Sequence, residues 1–244
     1  MQKAHILSMC LSEVQLYVPA AIEHQPRRNV MKYKILAAVV ALVTISQASI
    51  ADTLAFKPGV YVGAELGATR VDNNAQAFAN GLVAVNGGSS SVTQNTSVGT
   101  GRVFAGYKII ENMDAEVGYF KTGDITYTFS GVSSGSTAYS GATKVNAEGF
   151  DYSVLFRPTI QSGLHGAFLR LGGHSSSENA TTTGTNIRGG KSDISGTGYL
   201  YGLGYDIASS QTFDIRLQWT HLEKVAGVSD DKANVFSVGF LAKF

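Results

Sequence analysis

The stretch that decides the fold reads VYVGAELG and runs from Val60 to Gly67. Its even-numbered positions are all apolar, whereas its odd-numbered positions hold Glu65, a tyrosine and two glycines. A period of two is typical of a β-strand, because successive side chains point to opposite faces. This strand therefore has one apolar face and one face that carries a charge, a tyrosine and two glycines.

The same alternation recurs along the chain in segments separated by clusters of Gly, Ser, Asn and Thr. No stretch after Asp52 shows a sustained helical period. The pattern predicts eight strands of about ten residues each. They are placed near 59–70, 98–109, 114–124, 147–157, 165–176, 195–206, 213–222 and 233–244.

The two faces of these strands differ in a way that a soluble sandwich does not explain. One face is apolar throughout, and the other combines many glycines with charged residues. The charged residues are Glu65, Arg102, Lys108, Glu116, Asp151, Arg157, Arg170, Asp206, Asp214, Arg216 and Lys243. An Arg or Lys facing lipid at the bilayer midplane costs roughly 2 to 4 kcal/mol, and closure removes strand edges that hydrocarbon would penalise. The sequence thus predicts an all-β fold, an eight-stranded antiparallel up-and-down transmembrane β-barrel with its charges inside.

The connections between the predicted strands alternate between long and short. The long ones are 71–97, 125–146, 177–194 and 223–232, and the short ones are 110–113, 158–164 and 207–212. Outer-membrane barrels have short periplasmic turns and longer extracellular loops. We therefore expect the four long connections to face the cell exterior.

The N-terminal region has the features of an export signal. Residues Met31–Ala51 contain a basic start, an apolar run too short to span a bilayer and a small-residue cleavage site. We expect 31–51 to be a cleaved signal peptide and 52–244 to be the barrel domain. Residues 1–30 precede this complete signal and are expected to be a non-translated or disordered extension.

Composition excludes several functions. Only 15% of the residues are charged and the formal net charge is +1, so the chain lacks the clustered basic face of a nucleic-acid-binding protein. The three histidines of the barrel domain, His165, His174 and His221, have no metal-ligand spacing. We expect no metal, no cofactor and no nucleic acid.

Four segments carry a resemblance to a known family. Val60–Gly67, Phe104–Tyr107, Glu116–Tyr119 and Arg170–Gly173 are similar, in order and spacing, to strands of OmpA-like eight-stranded outer-membrane barrels. The sequence ends at the eighth predicted strand, so no periplasmic peptidoglycan-binding domain is expected. The resemblance therefore favours the barrel-only, OmpX-like members.

The last strand adds to this resemblance. Its outward face is similar to the C-terminal signal that the barrel assembly machinery reads, and consists of Phe236, Val238, Phe240 and Phe244. The resemblance implies a monomer in the bacterial outer membrane, in contact with its lipids and lipopolysaccharide. It also implies a structural role and adhesion to host-cell or matrix surfaces through the long loops, to which Arg188 and Lys191 are candidate contributors.

Two other functions are considered beside adhesion. Charges near mid-strand are expected to interlock as a structural network inside the barrel, formed by Glu65, Arg102, Glu116, Asp151, Arg170 and Arg216. If this network rearranged, the protein could act as a narrow gated channel. The third hypothesis is a lipid A-modifying hydrolase that uses His174 and Ser176 with Glu178, although these side chains are expected to point into the barrel and away from lipid. We expect no catalytic residues.

Overall fold

The computed structural model describes residues 59–72, 74–158, 166–210 and 212–244. In chain order the elements are β1 (Gly59–Val71), α1 (Ala75–Asn86), β2 (Ser89–Gln94), β3 (Ser97–Ile110), β4 (Met113–Thr122), β5 (Ile125–Val132), β6 (Ala138–Phe156), β7 (Ala167–Thr185), β8 (Gly190–Ala208), β9 (Phe213–Glu223), a 3₁₀ turn (Val225–Gly227) and β10 (Lys232–Lys243). Among these residues no helix combines the length and the apolar character needed to cross a bilayer.

Eight of the strands form a closed antiparallel ring. Its order is β6-β4-β3-β1-β10-β9-β8-β7, and pairing between β6 and β7 completes it. The first and last strands of the chain also pair, from Tyr61 opposite Lys243 to Val71 opposite Ala233. The predicted eight-stranded barrel is confirmed.

The uncharged face of the strands lies on the outside of the ring. Leu66 is 77% exposed and Phe240 is 67% exposed, whereas Glu65 is 3% exposed and Arg216 is fully buried. This distribution is the reverse of that in a soluble protein. It matches a barrel whose exterior contacts hydrocarbon.

Beyond one end of the ring the sheet continues as a folded extension. Strand β5 pairs with the first half of β6, β2 pairs with β5, and the 19-residue strands β6, β7 and β8 project past the ends of their neighbours. We call the described residues of 72–96, 123–147, 177–197 and 224–231 the extracellular extension, because they contain the four long connections that are expected to face the cell exterior.

The structure corrects two expectations about these connections. They are largely regular structure rather than loops, and α1 is a helix where no helical period was recognised. Alternation of apolar and polar residues is a weak guide here because the outer part of β7, Ser177–Thr185, consists mostly of Ser, Thr, Asn and Gly on both faces. The Thr-rich residues 181–185 nevertheless remain in strand conformation, which β-branched side chains favour.

Some predictions fall outside the described residues. These are the extension 1–30, the signal peptide 31–51 and the start of the fifth predicted strand at His165. Strand β7 is described from Ala167 onward.

Candidate functional site

Arg102 occupies the centre of the barrel interior. Its Nε and Nη2 donate to the two carboxylate oxygens of Asp151, each at 2.8 Å. Its Nη2 also donates to Glu116 at 3.2 Å, and its Nη1 donates to Glu65 at 3.3 Å. Glu65 lies directly opposite Arg102 in the ladder between β1 and β3, so strand register brings this pair together.

Two further arginines extend this cluster across the barrel. Arg170 donates to Asp151 at 2.5 Å, and Arg216 donates to Glu116 at 2.5 Å. The structure therefore joins all six mid-strand residues named from the sequence into one connected group of three acids and three bases. Each of the six is less than one-tenth exposed.

A lower tier of charges lies toward the short turns. Arg216 contacts both carboxylate oxygens of Asp206, at 2.7 and 3.0 Å, and Arg157 links Asp206 to Asp114, each at 2.8 Å. Lys243 donates to Asp214 at 2.7 Å. Sequence reasoning missed Asp114, although it has the same parity along β4 as Glu116 and so points to the same side.

Aromatic rings separate these charges. The guanidinium of Arg102 lies 4.5 Å from the ring centre of Phe104, and that of Arg216 lies 4.6 Å from Phe168. The inward aromatic residues were not singled out from the sequence, because apolar side chains were assigned to the lipid face. Cation–π contacts in a dry interior contribute to binding the guanidinium groups there.

Two glycines make space for the network. A Cβ atom at Gly118 would lie 2.8 Å from Nε of Arg102, and one at Gly239 would lie 2.5 Å from Cγ of Glu65. Both distances are shorter than carbon contacts in proteins allow. A larger residue at Gly118 or Gly239 would thus displace the side chain of Arg102 or Glu65 from its place in the network.

The interior is filled rather than open. The cavity beside Arg102 and Arg170 has a volume of about 30 Å³. Such a space holds about one or two water molecules. Buried ions need partners of opposite charge, and here each arginine has at least one carboxylate within 3.3 Å. The geometry is that of a packed polar core.

His174 and Ser176 lie together, but in a structural arrangement. His174 Nδ1 lies 3.1 Å from Ser176 Oγ, and His174 Nε2 lies 3.0 Å from the backbone oxygen of Glu223. Ser176 Oγ accepts a hydrogen bond from the backbone NH of Ala226 at 2.9 Å. His174 is fully buried inside the barrel. The pair holds the 3₁₀ turn in place over the barrel interior. It lies inside the barrel, whereas a lipid hydrolase would need its catalytic residues at the lipid-facing surface.

Two carboxyl groups at the mouth are held in surroundings that disfavour charge. Burial raises the pKa of Glu178 to about 8, with a smaller contribution from the negative charge of Asp231. Burial also raises the pKa of Asp231 to about 6, and repulsion from the negative charge of Asp230 raises it further.

Within the part of the chain that the structure describes, no three His, Cys, Asp or Glu side chains are grouped so as to hold a metal ion.

The extracellular extension has an apolar core of its own. Leu82 of α1 packs on Phe129 and Tyr139, and Phe78 stacks on Tyr127 with 5.0 Å between ring centres. Phe78 and Leu82 therefore lie on one side of the helix. It covers one face of the sheet formed by β2, β5 and β6.

A closed ring with an ion-paired interior and an exterior that is apolar below a charged rim defines a transmembrane β-barrel of the bacterial outer membrane. The chain belongs to the OmpA-like transmembrane domain family, whose match covers residues 57–244. This confirms the resemblance read from the strand motifs.

Several solved structures are similar to this chain. Ail, the attachment invasion locus protein of Yersinia pestis, is 12% identical with a TM-score of 0.45, over 76% of this chain and 99% of that one. Neisserial surface protein A is 18% identical with a TM-score of 0.41, over 78% and 100%. The N-terminal barrel of Pseudomonas aeruginosa OprF is 13% identical with a TM-score of 0.41, over 77% and 100%. No curated protein sequence matches the chain.

Proposed function

We propose that this outer-membrane barrel is a non-enzymatic surface protein that attaches to other surfaces through its extracellular extension. The observation that carries the proposal is the folded β2-β5-β6 sheet with its covering helix. A barrel that served only to fill the membrane would not need ordered structure beyond the bilayer.

Strand β2 is the part of the extension best suited to contact a partner. It pairs with β5 on one side, and within the described residues it pairs with no strand on the other. An unpaired edge offers backbone donors and acceptors to an incoming extended segment. Its sequence, Ser89 to Gln94, contains none of the charged residues or prolines that proteins use to block such edges.

The low charge of residues 72–96 indicates the kind of contact. Residues 72–96 contain Asp72 as their sole charged residue. Electrostatic capture of a polyanion needs a basic patch, which is lacking in this segment. Hydrogen bonding along the β2 edge is therefore the proposed mode of attachment, with Arg188 and Lys191 at the β7–β8 tip as secondary contacts.

Attachment of whole cells to immobilised matrix proteins and to cultured host cells tests this proposal. Ser91→Lys with Thr93→Lys places two charges on the β2 edge and is expected to reduce attachment strongly. The matched control is Ser130→Lys with Thr128→Lys, since these residues lie directly opposite on the inner strand β5 and are equally exposed. A variant with 75–94 replaced by a short linker should lose attachment. If this variant folds and attaches like the wild type, the proposal is wrong.

Export and assembly complete the proposed function. We propose that 31–51 is removed on export, that 52–244 is the mature barrel, and that Phe236, Val238, Phe240 and Phe244 form the assembly signal. The outward exposure of the aromatic side chains of this set supports recognition before insertion. N-terminal sequencing of the outer-membrane form should begin at Asp52, and a start before Met31 would refute the proposed processing.

A further inference from the structure

A groove crosses the lipid-facing surface of β1, β8, β9 and β10. It has a volume of about 530 Å³ and is lined mainly by apolar side chains. These include Leu66, Leu203, Leu217, Trp219, Phe236 and Val238. Strand register places them in two adjacent rows, so the groove is continuous across the four strands.

A polar cluster lies directly above this groove, at its extracellular end. The next outward positions of the same strands are Arg70, Asn234, His221 and Tyr201, which are paired in register. Trp219 Nε1 donates to Asn234 Oδ1 at 3.2 Å, and His221 Nδ1 lies 2.9 Å from the same oxygen. These bonds connect the apolar groove to the polar rim.

Two cations and one carboxylate mark this rim. Lys232 donates to Glu223 at 3.2 Å, yet its side chain remains 44% exposed. Arg70 is exposed on the outward face and forms no ion pair with any described residue, Asp72 included. Residues placed diagonally on neighbouring strands lie about 7–8 Å apart, so both long side chains can reach one anionic group.

The opposite side of the rim differs. There Lys121 is paired with Glu148 at 2.8 Å, and Tyr119 also donates to Glu148 at 3.0 Å. That pair is neutral. On the Arg70 side, two cations face one carboxylate, so a positive charge remains above the apolar groove.

We propose that this surface binds one lipid A-type molecule, a phosphorylated and multiply acylated saccharide lipid of the outer leaflet. An acyl chain occupies the groove, and a phosphate lies between Arg70 and Lys232. Arginine pairs with phosphate through two parallel N–H···O bonds, and Tyr and Trp favour the interface between hydrocarbon and head groups. This proposal is independent of attachment through β2.

Trp219 allows a direct test because it is the sole tryptophan of the sequence and lines the groove. The barrel is refolded into nanodiscs of brominated phosphatidylcholine, whose chains quench Trp219 fluorescence. Bisphosphorylated lipid A is then titrated in. Relief of quenching is expected, because unbrominated acyl chains replace brominated ones in the groove.

Variants and lipids separate this site from general lipid contact. Arg70→Gln with Lys232→Gln should raise the half-saturating lipid A concentration about tenfold or more, whereas Lys121→Gln should leave it unchanged. For the wild type, the half-saturating concentration of dephosphorylated lipid A should be as high as that of lipid A for the double variant. The proposal is overturned if the double variant responds like the wild type, or if dephosphorylated lipid A or phosphatidylglycerol relieves quenching as well as lipid A does.

Discussion

The barrel wall and the extracellular extension share the strands β6, β7 and β8 but have opposite interiors. In the ring, Arg170 and Asp151 are buried and Leu66 faces outward. In the extension, Phe129 and Leu82 are buried and Ser and Thr face outward. The surrounding medium decides which side chains are buried, because hydrocarbon accepts the apolar face and water accepts the polar one.

The largest effect is expected from breaking the barrel interior. Arg216→Ala leaves Glu116 and Asp206 without this partner, and removing one member of a buried ion-pair group costs about 3 to 5 kcal/mol. Urea unfolding in lipid vesicles measures this loss. Arg188→Ala, at an exposed position of the extension, should change the free energy of unfolding by less than about 0.5 kcal/mol. If both variants lost the same free energy of unfolding, the buried network would not be the source of the loss in Arg216→Ala.

A charge placed on the outer surface should distinguish the two regions. Leu66→Arg puts a cation against hydrocarbon, at a cost of about 2 to 4 kcal/mol if the position is near the midplane. Val132→Arg adds the same cation to an exposed valine of β5, where water surrounds it, and should cost less than about 0.5 kcal/mol. The same unfolding assay, with heat-modified gel mobility to verify folding, checks both. A similar cost at the two positions would contradict the assigned lipid face.

The apolar core of the extension should be separable from the barrel. Phe129→Ala removes a buried ring, a change that costs about 3 to 5 kcal/mol in a packed core, but the loss is expected in the extension alone. Limited proteolysis should cleave the variant within 72–96 faster than the wild type, while its heat-modified gel mobility stays unchanged. Thr128→Ala, at the exposed neighbour, is the control. Loss of the folded barrel would show that the two regions unfold together.

The smallest effect is a dependence of the extension on pH. Because the pKa of Glu178 is raised to about 8 when folded, the folded form retains a proton that the unfolded chain releases at lower pH. The stability that this group contributes is thus complete below its ordinary pKa and falls as pH rises toward 8. Proteolysis of the extension should be slower at pH 5 than at pH 8.

Glu178→Gln tests the origin of this dependence. The variant should show a smaller difference between pH 5 and pH 8, with a remainder from Asp231, whose pKa is raised to about 6. Asp193→Asn, at an exposed position of β8, should retain the full difference. Identical pH profiles for wild type and Glu178→Gln would remove Glu178 as the cause.

Sequence alone could predict the barrel because the membrane imposes a strict period of two. Every residue of β1 from Val60 to Gly67 lies on the side that its parity predicts, and the same parity led to Arg102 and Arg216. The particular pairs could not be derived in this way. Which carboxylate Arg216 contacts depends on the register of strands 100 residues apart, and a single sequence contains no measure of that register.

The extension was missed for a different reason. Helix α1 contains Gly81 and buries only Ala79 and Leu82, which is too short a pattern to stand out from the surrounding polar residues. Its Leu82 packs against Phe129, and tertiary contacts of this kind override weak local propensity. Likewise Ser176 was considered as a nucleophile, whereas its role became visible only when the 3₁₀ turn placed Ala226 above it.

The seam between β1 and β10 has a consequence for how the protein is made. Ser237 donates to Glu65 across this seam at 3.1 Å, although the two residues are 172 positions apart in the chain. Contacts so distant in sequence form slowly, and until they form the sheet has two bare edges that a bilayer does not tolerate. A nascent chain that stops short of Lys232 lacks β10 entirely and so cannot shelter its interior charges from lipid. The barrel wall therefore cannot close before β10 pairs with β1.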